Sequence, residues 1–190
     1  MAAAEVPEIE VRSRADLRKW LAANHDSAGT VWLLHHKKAS PHYVPFGDLV
    51  SELLCWGWVD SVSRHAPEPM TAHRISPRGE GSAWSAVNKA KVAEERTAGR
   101  MTPAGEAAIA RAEANGMWTF LDDVERGEVP EDLAAALGPL RPVWEGWPRS
   151  VRRGTLEWIK IAKGEATRRK RIADVAESAA KGMRPSPFRR

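Results

Sequence analysis

The sequence predicts a helix-rich α+β fold: a small β-sheet packed with helices, followed by a C-terminal helical hairpin. Residues 30–36, TVWLLHH, form a β-prone run directly after Gly29, and residues 58–62 change to a spacing of two, with 70–75 as their pairing partner. The other apolar residues recur mostly at helical spacing, and near the C-terminus two such stretches are parted by Gly164.

Taken in order, Ser13 is an N-cap with Asp16 three residues on, and Leu17, Trp20 and Leu21 then keep one face of a short helix until residues 24–27 end it. Residues 30–36 read as a strand buried on both faces. Phe46, Leu49, Val50, Leu53 and Leu54 repeat at 3.6, giving a helix from about 45 to 55 that Gly57 stops. Trp58, Asp60 and Val62 share one face of the next strand, and the turn at 66–69, with its two prolines, lets 70–75 pair back onto it. Residues 82–98 and 102–115 are two further helices, the second with Thr102 as N-cap and Pro103 at the first helical position.

Residues 127–142 are rich in turn formers, hold at most one short helix, and read as a connector. This divides the chain into a mixed α/β part, 1–126, and a helical part, 127–190. Residues 149–162 and 165–181 form the hairpin, and 182–190, with two prolines and three arginines, is expected to be mobile.

Length and composition exclude several classes. With 190 residues, 43% hydrophobic and 28% charged, the chain reads as a soluble, folded protein. No run approaches the ~18 apolar residues of a membrane span, and the acids in the first ten residues do not suit a secretory segment. The single Cys55 rules out an intrachain disulfide and suits a reducing compartment, so a cytoplasmic location is expected.

Charge is divided unevenly. Residues 149–190 carry 13 Lys and Arg against 4 Asp and Glu, so the excess of base lies in the C-terminal fifth. A solvated helix face is the plainer explanation, and an acidic partner or nucleic acid the sharper one.

No phosphate-binding loop, G-x-S-x-G elbow, H-E-x-x-H or paired C-x-x-C is present. His35 and His36 point to opposite faces of one strand, so the histidines make no ligand set. No metal and no cofactor are expected.

The densest chemistry lies between 55 and 88. Nine Trp stand against one Tyr and three Phe in the whole chain, and three of the nine fall in this stretch. Trp56, Trp58 and Trp84 offer flat apolar area, while Asp60, Arg74 and Arg78 orient a ligand by charge-assisted hydrogen bonds. Ser82, Ser85 and Asn88 follow at i, i+3, i+6, and a helix start there also presents free N–H groups to an anion. Trp56, Trp58, Asp60, Arg74, Arg78, Trp84, Ser85 and Asn88 are therefore the candidate ligand-binding residues, for a small molecule or a peptide. The plainer reading makes Ser85 a helix cap, pairs Asp60 with an arginine, and puts the indoles in the core. If the protein is an enzyme, Asp60 is its candidate general acid or base, on the condition that the neighbouring indoles desolvate it enough to raise its pKa.

In the basic helix, Arg168 lies one turn before Ile172 and so on the apolar face. Arg168 and Arg171 are candidates for docking the two parts or for holding an acidic partner. Residues 168–171 would be the contact for nucleic acid in the alternative reading.

Several segments together carry a resemblance. WL…NH at 20–25, GTVWL at 29–33, LCWGWVDS at 54–61, SPR…SAWS…N at 76–88, GRMTPAG at 99–105 and WI…AK…TR…RI at 158–172 look like the YdeI/OmpD-associated, or bacteriocin-protection, family. The likeness spans about residues 13–181. It implies a bacterial protein linked to protection from antimicrobial peptides and to envelope stress, and it supplies no reaction. The chain departs from the family's usual pattern at 63–70, where Glu68 is the one acid, and at Ala166, before the Thr-Arg pair.

Overall fold

The computed structural model describes residues 6–189. The chain separates into two compact units, with the division after Phe120.

The first unit is built on a four-stranded sheet. Its strands are β1 (Glu8–Val11), β2 (Val31–His36), β3 (Trp58–His65) and β4 (Met70–Pro77), in the order β1-β2-β4-β3. β1 runs parallel to β2, and the other pairs are antiparallel. The expected β3–β4 hairpin forms, with Trp58 opposite Pro77 and Asp60 opposite Ile75. A register shift between Asp60 and Ser63 breaks the alternation of two, so Val62 is exposed while Trp58 is buried. β1 is an addition to the sequence reading, which has no strand before Ser13. Ile9 and Val11 turn inward and Glu8 and Glu10 outward, but four residues are too few for the pattern to stand out.

Two helices cover one face of this sheet: α1 (Arg14–Asn24) and α2 (Phe46–Cys55). Leu17 and Leu21 from α1 and Leu49 and Leu53 from α2 pack with Val11, Val31, Leu33, Trp58 and Ile75. The Ser13 hydroxyl accepts the Asp16 N–H at 3.1 Å, and the Asp16 carboxylate accepts the Arg12 N–H at 3.0 Å, which fixes where α1 begins. His35 lies on the covered face, 2.9 Å from a ring nitrogen of His73, and both rings stack on Phe46. On the other face, Glu8 pairs with Arg64, whose guanidinium lies 4.5 Å from the centre of the Trp32 ring, and His36 reaches Glu10.

α3 (Ala86–Thr97) and α4 (Pro103–Ala114) complete the unit. A second cluster, Leu54, Trp84, Val92, Ile109 and Ala112, sits between them and α2. α4 starts as the sequence predicts: the Thr102 hydroxyl accepts the Gly105 N–H and donates to the Cys55 carbonyl at 2.6 Å. Gly105 is required there, because a Cβ would fall 2.2 Å from the Cys55 carbonyl oxygen. α3 starts four residues later than expected. Trp84 is drawn into the second cluster with its N–H on the Met117 carbonyl, and Ser85 then caps the helix by accepting the Asn88 N–H at 3.3 Å.

The second unit is all helical: α5 (Asp122–Arg126), α6 (Glu131–Leu137), α7 (Arg141–Glu145), α8 (Arg149–Lys160) and α9 (Glu165–Ala180). α8 and α9 form the expected hairpin. α5, which the sequence reading left in the first part, joins this unit: Val124 is buried, and Asp123 and Glu125 pair with Lys160 and Arg153 of α8. The stretch read as a connector, 127–142, holds the one short helix expected there, α6, which buries Leu133 and Leu137, and α7 begins at its end.

The end of the chain is tied back where mobility was expected. Asp174 accepts from the Ser186 N–H and hydroxyl, Arg189 donates to Ser178, and Phe188 lies against Gly154. The last residue of that segment, 190, lies outside the described residues. Among the described residues no helix is long and apolar enough to cross a membrane.

Candidate functional site

α1 and α2 are joined by charge as well as by apolar packing. Glu52 and Glu95 are 1% and 2% exposed, and such carboxylates persist only when fully paired. Arg14 and Arg18, one turn apart on α1, both reach Glu52 at 2.8 Å. Arg14 also grips Glu95 on α3 with two nitrogens, at 3.1 and 2.6 Å, and Arg100 grips it from the far side at 2.6 and 3.1 Å. Burial pulls the Glu95 carboxyl up, but the hydrogen bonds from Arg100 and Arg14 outweigh it and hold its pKa at about 2. Cys55 donates to Glu95 at 3.6 Å, and burial followed by the two nearby carboxylates pushes its thiol up to about 12, so it is inert.

Trp56 sits on the solvent side of this cluster. It follows the last residue of α2, and its indole N–H donates to Glu52 at 3.0 Å. The His25 ring leans on it at 4.9 Å between centroids, and the Arg18 guanidinium lies 5.8 Å above it. The half-buried indole forms the floor of a cleft of ≈ 770 Å³ between α1 and the start of α4. Ala15, Ala22, Met101 and Pro103 supply apolar walls, and Arg18, Lys19 and His25 supply the rim. The lining includes no carboxylate, so the cleft suits a ligand with an apolar body and an anionic group.

The residues singled out in the sequence do not share one hollow. Trp56 lines the cleft. Trp58, 1% exposed, is core: it meets Trp20 edge-on at 5.5 Å and donates its indole N–H to the His25 carbonyl. Trp84, also 1% exposed, carries the Arg78 guanidinium on its face at 3.9 Å. Arg78 donates to the Ala83 carbonyl, and burial brings its pKa down to about 10, with the Asp60 charge opposing. Asp60 makes no ion pair among the described residues, and Arg74 is exposed opposite Trp32. Ser85 caps α3 by accepting the Asn88 backbone N–H, and Ser82 lies before the helix, so Ser82, Ser85 and Asn88 form no stripe along it.

In the second unit, Arg168 pairs with Asp132 of α6 at 2.6 Å, and Arg171 donates to the Trp158 carbonyl and lies over its ring. Both contacts are internal to that unit.

No local pattern in the sequence points to Arg14, Arg18, Glu95, Lys19 or His25. The one local signal is Glu52, a charge set among the apolar residues of α2 one turn before Trp56.

Fold and site together define a two-part protein: a helix-rich α+β unit with a Trp-floored cleft, and a unit of helices. The chain belongs to the family described as Domain of unknown function (DUF8412), whose model matches residues 9–108. The model described as Bacteriocin-protection, YdeI or OmpD-Associated matches residues 127–182. The likeness read over 13–181 is thus met in the helical part, while the mixed part falls under the other model. No curated protein and no solved structure matches the chain.

Proposed function

We propose that this is a cytoplasmic protection protein that acts by binding, without turnover, a small or peptidic ligand in the Trp56 cleft. A protective role is supported by the bacteriocin-protection description matched at residues 127–182. The observation that carries the binding role is Trp56 itself. It is an indole left half open to solvent yet fixed by a buried carboxylate, over a cleft rimmed by three basic side chains. An apolar side chain lies on the indole, and a carboxylate, such as a peptide's C-terminus, meets Arg18 and Lys19.

Survival of bacteria challenged with an antimicrobial peptide tests this reading. Cells expressing the wild-type chain survive better than cells expressing Trp56→Ala or Lys19→Glu. Lys19 is exposed, so its variant leaves the fold intact. Equal survival with Lys19→Glu contradicts it.

A further inference from the structure

The α8 start holds a concentration of positive charge that the cleft does not use. Arg149, Arg152 and Arg153 fall at i, i+3 and i+4 on α8 and line a cavity of ≈ 220 Å³ together with Arg126. Two of the four guanidiniums are satisfied: Arg126 pairs with Glu128, and Arg153 with Glu125 and Glu157. Arg149 and Arg152 form no ion pair and no side-chain hydrogen bond among the described residues, and the Arg152 Nε is buried with no acceptor.

The one acid that lines the cavity, Glu125, is held by Arg153. α8 has no side-chain cap and no acid in its first turn, so both arginines sit at the positive end of the helix. A buried guanidinium nitrogen without a partner, the Arg152 Nε, is costly, and the exposed Arg149 adds like charge beside it. Trp144 and Leu156, both buried, close the cavity's apolar side.

We propose that this cavity binds a phosphate group, either as a soluble phosphate monoester or as a lipid headgroup. A carboxylate would neutralise only one of the two free guanidiniums. A phosphate monoester carries ≈ −1.5 to −2 charges at pH 7 and three strong acceptor oxygens, enough for both arginines, the orphaned Nε and the free N–H groups of the α8 start. The proposal uses none of the Trp56 cleft's residues and stands or falls separately from it.

Calorimetric titration of the full-length protein with glycerol 3-phosphate, inorganic phosphate and acetate tests it, beside co-sedimentation with vesicles of neutral lipid containing or lacking phosphatidic acid. The expected result is binding of a soluble phosphate, or of the phosphatidic acid vesicles alone, which identifies the source. In either case Arg152→Gln and Arg149→Gln each weaken it at least tenfold, and acetate binds at least tenfold more weakly than phosphate. Arg149 is exposed, so its variant retains the fold and keeps the test valid if Arg152→Gln does not. The proposal is overturned if no phosphate-bearing probe binds, if acetate binds as well, or if binding survives in Arg149→Gln.

Discussion

Trp56 donates its indole N–H to Glu52, the residue one helical turn before it, at 3.0 Å. Glu52 is in turn held by Arg14 and Arg18, so the floor of the cleft is fixed from beneath by buried charge. Loss of the carboxylate would leave Arg18 without an ion pair and Arg14 with Glu95 alone. Glu52→Ala should therefore destabilise the first unit by ~1–3 kcal/mol, read as a lower urea midpoint, and should broaden the indole N–H resonance of Trp56. A midpoint within error of wild type would show that the ion cluster does not hold the floor.

Acid should weaken the fold in two steps. Burial, and then the neighbouring His73 charge, bring the His35 pKa down to about 4 from an ordinary 6.5. Between those values the unfolded chain binds a proton that the folded chain refuses, so this stability is complete above pH 6.5 and is lost as pH falls toward 4. Glu95 follows: its folded pKa of about 2 lies below the ordinary 4.5, so its contribution is present above pH 4.5 and is lost as pH falls through 2. Melting temperatures from pH 7 to 2.5 should fall over both windows, and Glu95→Gln should flatten the lower one. A proton NMR midpoint for His35 near 6.5 would remove the upper step.

At Gly105 the start of α4 lies against the last residues of α2. The Cβ of an alanine would meet the Cys55 carbonyl oxygen and carbon at 2.2 and 2.7 Å, and both are backbone atoms that cannot swing aside. Gly105→Ala should cost ~1–3 kcal/mol or more by overpacking, despite alanine's better helix propensity. It should also shift Thr102 off the Cys55 carbonyl. A neutral or stabilising result in thermal melts would mean that the helices can part without loss.

Local patterns in the sequence reveal most of the fold. Ser13 and Thr102 cap the helices that their spacing predicts, and the alternation at Trp58 and Asp60 belongs to a strand. What escapes are features decided by distant residues. Trp84 delays α3 because the Met117 carbonyl takes its backbone N–H, and α5 joins the helical unit because Val124 is buried. The same limit applies to the site. Trp56 stands out as an indole beside polar residues, but the pairs that fix it join residues 38 and 81 positions apart, Arg14 with Glu52 and Arg14 with Glu95. Spacing along the chain records neither. It also cannot tell the half-open Trp56 from Trp58, two residues on and fully enclosed.

The most direct test of the central claim is a fluorescence titration with 1-anilinonaphthalene-8-sulfonate, a probe that joins an aromatic body to an anionic group. One site should bind it, Trp56→Ala and Lys19→Glu should each weaken it at least tenfold, and Arg74→Glu, on the outer face of the sheet, should leave it unchanged. Equal affinity in Lys19→Glu and Arg74→Glu would contradict the assignment of the cleft.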